Sequence, residues 1–314
     1  MNDMTLGFKP SSADWPIVPR NIKLDWSNVP LNWIYNDRFS SHAVNGLSYF
    51  LISVEFTMCR LCSQALPLIT DDKLRQDVKG FIKQEALHAR AHELHLSEYM
   101  QRHGINKLMV SRLVDYTLKN IMTEQPFGRA LPKGFQKRWL VLRAGFFAAA
   151  EHYTTGLAHY FFNEGKWIEN GCDETMSSLM LWHSAEEIEH RTVMFDLYNH
   201  LGGDRVTRSI LMSMLLPTFV LVLTGGIMGV NRLDPAVPND QKNIWQRGFW
   251  KAWRKGAEAG NVTTLSWLIK HSFGFMREDY NPVNEGSTEQ ALAYLAQLPM
   301  VFQIADKKTE IVSA

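Results

Sequence analysis

Two glutamates stand alone in segments that should be free of charge. Between Ala43 and Cys59 the sole charged residue is Glu55, and between Ala144 and Asn163 it is Glu151. An ionised carboxylate in apolar surroundings costs several kcal/mol unless it is paired or bound to a cation. Two further segments carry Glu-x-x-His: Glu85-Ala-Leu-His88 and Glu187-Ile-Glu-His190. On a helix, positions i and i+3 share a face one turn apart, so carboxylate and imidazole can reach one cation. One such tetrapeptide is common by chance. Two copies, each following a lone glutamate, point to a shared metal centre. Four carboxylates and two neutral imidazoles carry −4, which two divalent cations cancel. Oxygen-rich ligation with imidazole and no thiolate favours iron or manganese over structural zinc.

Neighbouring residues leave alternatives open. His92 and His183 share faces with Glu85 and Glu187, each as a further ligand or a support for one. Glu186 rivals Glu187, but only Glu187 stands three residues before His190. His152 and His159 are expected to satisfy local bonds. Small residues around Glu151 (Ala144, Ala148, Thr154, Thr155, Ala158) leave room beside the metals or pack helices tightly. Cys59 and Cys62 continue the apolar face of the Glu55 segment and read as core thiols.

Four long helices must position these groups. The spacing predicts them near residues 41–66, 71–103, 135–163 and 173 to just before Gly202, with a shorter helix over 105–125. The intervals of 30 residues from Glu55 to Glu85 and 36 from Glu151 to Glu187 fit an antiparallel helix, a turn and a return. Period-two alternation is missing, so the class is all-α. Residues 1–37, with four prolines, read as an irregular arm, residues 38–203 as the metal-holding bundle, and 204–314 as a helical extension with a loose tail. Within the extension, Ser209–Val230 runs 22 residues without a charge, long enough to span a bilayer. Pro217 and three glycines are expected to bend it back over the bundle, with Leu215, Phe219 and Leu223 facing the ligand helices. The other outcome is a membrane element. Residues 244–255 interleave tryptophan with lysine and arginine, which suits a helix packing a Trp stripe or a membrane interface. A net charge of +1 gives no basis for a nucleic-acid partner. Three cysteines fit a reducing compartment, and the N-terminal residues lack a signal-peptide pattern, so the cytoplasm is expected, with membrane association as the open alternative.

The stretch Trp182-His183-Ser184-Ala185-Glu186-Glu187-Ile188-Glu189-His190-Arg191, continuing to Phe195-Asp196-Leu197-Tyr198, resembles the signature of a bacterial family of predicted metal-dependent hydrolases, over about residues 20–285. The order Glu, Glu-x-x-His, Glu, Glu-x-x-His is also similar to ferritin-like di-iron and di-manganese carboxylate bundles. That similarity implies a ferritin-like four-helix core in which Glu85 and Glu187 bridge two metals, Glu55 and His88 complete one site, and Glu151 and His190 the other. The leading expectation is a di-iron oxidase or oxygenase that uses O2 and an unidentified electron donor on a small hydrophobic molecule. The alternatives are a hydrolase with a two-metal-activated water and a non-catalytic metal-storage bundle. A homodimer is compatible with each.

Overall fold

In the computed structural model, residues 15–106 and 108–303 are described. The expected loose tail lies largely outside them, as does the start of the N-terminal arm. The chain is all-α apart from one short antiparallel pair, β1 (Arg20–Ile22) with β2 (Val301–Gln303). The principal helices are α1 (Arg38–Ala65), α2 (Asp72–Leu94), α3 (Met109–Asn120), α4 (Lys133–Asn163), α5 (Glu174–His190) and α6 (Val193–His200). They are followed by α7 (Arg205–Leu233), α8 (Arg247–Glu258), α9 (Leu265–Met276) and α10 (Thr288–Leu295).

Aspartate caps fix where four of these helices start. Asp37, Asp71, Asp173 and Asp204 each accept a backbone N–H three residues on, at 2.7–3.1 Å, which satisfies one otherwise orphaned donor. Helix α2 continues into a π-helical turn over His95–Met100 and stops at Gly104, whose φ of +75° suits glycine. The fourth predicted helix is two helices: the chain breaks at Arg191-Thr192, between α5 and α6. There the buried Arg191 guanidinium bonds the carbonyls of Pro282 and Val283 and the hydroxyl of Thr288.

The packing is layered. Helix α1 pairs with α2 and α4 with α5, and these four enclose the centre described below. Helix α7 lies on the outside of α1 and α4, with α3 beside it on the α1 side and α9 on the α4 side. Pro217 and the glycines do not interrupt α7 or fold it back on itself. One helix runs through Pro217, which forfeits a single backbone bond without breaking the rod. The glycines serve close approach instead: a Cβ on Gly226 would meet the Phe50 ring at 2.8 Å, and one on Gly46 would meet the Gly226 backbone at 3.3 Å. Gly226→Val should therefore cost about 1–3 kcal/mol through overpacking, read by chemical denaturation. Leu215 is buried and Phe219 stacks on Tyr153 of α4 at 4.5 Å, so this face of α7 meets the bundle as expected.

Candidate metal centre

Six side chains converge from four helices: Glu55 on α1, Glu85 and His88 on α2, Glu151 on α4, and Glu187 and His190 on α5. None is more than 3% exposed. They fall into two adjoining groups that could each hold a metal ion, Glu55–His88–His183 and Glu85–Glu151–Glu187–His190, with donor atoms within 4.8 Å of one another inside each group. Glu85 and Glu187 lie between the histidines of the two Glu-x-x-His segments, His88 and His190. Glu85 Oε1 is 3.6 Å from His88 Nδ1 and 3.3 Å from His190 Nε2. Glu187 offers Oε1 to His88 Nδ1 at 3.7 Å and Oε2 to His190 Nε2 at 3.4 Å.

Hydrogen bonding shows which atoms face inward. Gln84 donates Nε2 to Glu189 Oε2 (2.6 Å) and to the Val18 carbonyl (3.1 Å), so its Oε1 is the atom that meets His190 Nδ1 at 3.0 Å. An amide oxygen only accepts. His190 Nδ1 thus carries a hydrogen, and Nε2 points at Glu85, Glu151 and Glu187, each 3.3–3.4 Å away. Burial opposes charge on the ring, but Glu187, Glu151 and Glu85 raise it well above the usual histidine range. Without metal the ring can hold a second proton on Nε2, and a divalent cation among the carboxylates would take that proton's place. His88 repeats the arrangement, with Nε2 3.0 Å from Glu186 Oε2 and Nδ1 facing inward. Both oxygens of Glu55, Glu85 and Glu151, together with His88 Nδ1 and His190 Nε2, are buried without a hydrogen-bond partner. Such a cluster of orphaned buried acceptors is costly, and it has the composition of a divalent-cation site.

The charges respond to one another. Burial, then Glu85 and the other carboxylates, push the Glu55 carboxyl well above its ordinary range. Burial and Glu187 push Glu151 up to about 8. Burial alone would raise Glu187 too, but His190 and His183 outweigh it and hold it well below the usual carboxylate range. Burial works against a charged His88, yet its bonds to Glu186 and Glu85 raise it to about 10. His183 is lowered by burial and by His88.

The residues left open in the sequence now have places. Glu186 does not face the cluster: it bonds His88 from behind and accepts from the Arg20 guanidinium, which also bridges to Glu189. His183 lies in the centre, with Nε2 2.8 Å from Glu187 Oε1 and 3.7 Å from Glu55 Oε1. His92 stands behind it, its Nε2 2.7 Å from His183 Nδ1 and its Nδ1 2.9 Å from Ser48 Oγ. His152 is outside the centre, stacked on His271 at 3.8 Å beside Glu285. Thr154 donates to Glu187 Oε2. Sequence reasoning missed Gln84, Glu189 and Arg20. The first two adjoin ligand positions, but Arg20 sits on β1 and carries no local signal. Because Glu186 orients His88 rather than facing the cluster, Glu186→Gln should keep both metals while weakening affinity about 10–100-fold, measured by competition with a chromogenic chelator.

The family of predicted metal-dependent hydrolases matches residues 18–286. The chain belongs to that family, and with this site it is a metal-dependent enzyme of helical-bundle architecture that uses divalent metal ions. No curated protein matches it, and no solved structure does. The family match overturns the expectation of a di-iron oxidase or oxygenase in favour of hydrolysis. The earlier inference leaned on the ligand types, but carboxylate and imidazole donors serve two-metal hydrolases equally well.

Proposed function

We propose that the chain is a hydrolase with two divalent cations held by Glu55, Glu85, His88, Glu151, Glu187 and His190. The observation that carries this reading is the convergence of four buried carboxylates and two histidines, with both oxygens of Glu55, Glu85 and Glu151 lacking a hydrogen-bond partner. Two cations there would polarise the bond to be cleaved and make water acidic enough to attack near neutral pH.

The protein's own groups then have distinct roles. Glu85 and Glu187, lying between the two histidines, hold the two halves together. Glu186 and Gln84 fix the tautomers of His88 and His190. His183 is the proton-accepting side chain. Burial favours its neutral form, and the line from His183 Nδ1 through His92 to Ser48 Oγ orients the ring and can take up a redistributed proton. In the metal-free chain its Nε2–H donates to Glu187 Oε1 at 2.8 Å. With Glu187 held by cations, the tautomer that donates Nδ1–H to His92 would leave Nε2 free to gain the proton from water and return it to the leaving group. The lining nearby favours a small apolar substrate, for which its crevice, with about 30 Å³ free, would have to open. The crevice among Leu47, Leu157, Phe219, Leu223 and Leu268 is apolar, and Leu157 lies six residues, about 9 Å of helix rise, beyond Glu151.

The test is hydrolysis of chromogenic carboxylic and phosphate esters by metal-loaded protein under anaerobic conditions in oxygen-18 water. The reading expects label from water in the acid product and loss of turnover on chelation. Turnover that takes label only from oxygen-18 gas would overturn it. His183→Gln should retain both metals and lower kcat about 10²–10⁴-fold. Loss of a metal equivalent in that variant would make His183 a ligand instead.

A further inference from the structure

We propose that the outer face formed by α3, α7 and α9 docks on the surface of a bilayer containing anionic lipids. Helix α7 lies between α3 and α9 over the bundle, so these three helices form the outermost layer on that side. Apart from Ser213 and Thr218, the outward positions in the middle of α7 are apolar, where a solvated helix face would be polar. Ile210, Met214 and Leu221 are 55%, 59% and 66% exposed, and no charged residue occurs between Arg208 and Arg232. The flanking helices add Leu113 (64%) and Phe273 (61%). Among the described residues α7 is the one helix long and apolar enough to cross a membrane, yet its inner face is locked to α1 and α4. That geometry suits a helix lying in the interface rather than a span.

Charge identifies the occupant. Residues 205–276 contain nine lysines and arginines, of which Arg208 is buried and Arg205 pairs with Glu278, against three aspartates and glutamates, while the whole chain balances at +1. One of those three acids, Asp234, is buried against Arg38 and His42. Helix α8 packs on α1, shares a hydrophobic cluster with Ile227 of α7 through Phe249 and Trp253, and turns Arg247, Lys251, Arg254 and Lys255 to solvent. Trp245, just before it, is 87% exposed. Exposed tryptophan beside a basic helix and an apolar face is the pattern of an interfacial anchor on anionic headgroups. A second copy on the same face would bring basic rim against basic rim in an isologous dimer, which repels.

The test is co-sedimentation of the full chain with vesicles of phosphatidylcholine alone and of phosphatidylcholine mixed with phosphatidylglycerol. We expect binding to the mixed vesicles that weakens with salt, and little to the neutral ones. Lys251→Glu with Arg254→Glu should lower that affinity at least about fivefold per residue changed. Met214→Asp with Leu221→Asp should abolish retention at moderate salt. Both variants alter exposed side chains, and an unchanged helical circular dichroism spectrum and metal content would show that each is folded. Equal binding to neutral vesicles, or no vesicle binding with a dimer that the Asp variant dissociates, would overturn the proposal. So would membrane protein that resists extraction at alkaline pH, since that marks a true span.

Discussion

Glu187→Ala protein should retain no more than one divalent cation per chain and lose hydrolytic activity by about 10³-fold or more, the scale of several kcal/mol of Lewis-acid stabilisation. Glu187 is the residue whose two oxygens are turned to different histidines, 3.7 Å from His88 Nδ1 and 3.4 Å from His190 Nε2. Its truncation removes a donor from both halves of the centre and leaves Thr154 and His183 without their carboxylate partner. The adjacent Glu186 provides the control. It is equally buried, but it accepts from Arg20 and meets the outer nitrogen of His88. Metal analysis by mass spectrometry on the two variants, prepared side by side, separates these roles. Full metal content in Glu187→Ala would refute the assignment of helix face.

The second large effect concerns pH and the metal-free protein. Glu151 titrates at about 8 in the folded chain, raised by burial and Glu187, whereas an unfolded glutamate titrates near 4.3. Between those values the folded state holds a proton that the unfolded state has released, so stability falls as pH rises through that window. Glu55 shifts in the same direction. His88, raised to about 10 against its burial by Glu186 and Glu85, adds stability that is full below about 6.5 and is lost as pH rises towards 10. Glu187 has the opposite sign: His190 and His183 overcome burial to depress it, so its contribution is present above about 4.3 and fades as pH falls. Buried His42, His92, His95 and His183, with partly buried His271, are lowered by desolvation and add stability as pH rises towards about 6.5. The chelated protein should therefore show its highest Tm near about pH 6.5 and a decline towards pH 8, at up to about 1.4 kcal/mol per pH unit for each proton involved. Divalent metal requires the deprotonated carboxylates and imidazoles, so its stabilisation should grow over the same range and its binding should release protons. Calorimetry in buffers of different ionisation enthalpy measures that release. A chelated protein whose Tm is flat from pH 5 to 8 would contradict this account.

Much of the centre was legible because burial of charge leaves a mark in sequence. Glu55 and Glu151 stand out as single charges in apolar helices, and the repeated Glu-x-x-His gives its own register. Helix starts were legible at Asp71 and Asp173, where the capping chemistry is local. What was not legible depends on tertiary neighbours. Arg20 reaches Glu186 and Glu189 from a strand more than 160 residues away in the chain. The break after His190 coincides with Arg191 bonding carbonyls near residue 282, which no helical period announces. Pro217 looked like a bend, but a helix packed on two others tolerates the loss of one hydrogen bond. His183 was ambiguous at one turn from Glu187, and its place became clear only with Glu55 arriving from α1. The reaction class was hardest to read, because carboxylate and imidazole ligands by themselves do not choose between hydrolysis and oxygen chemistry.

The most direct measurement is anomalous X-ray diffraction from crystals of the chain grown with manganese(II) and collected on either side of the metal edge. The account predicts two peaks, one bounded by Glu55 and His88 and the other by Glu151 and His190, with Glu85 and Glu187 between them. An empty core, or a peak confined to the His152–His271–Glu285 cluster, would contradict it.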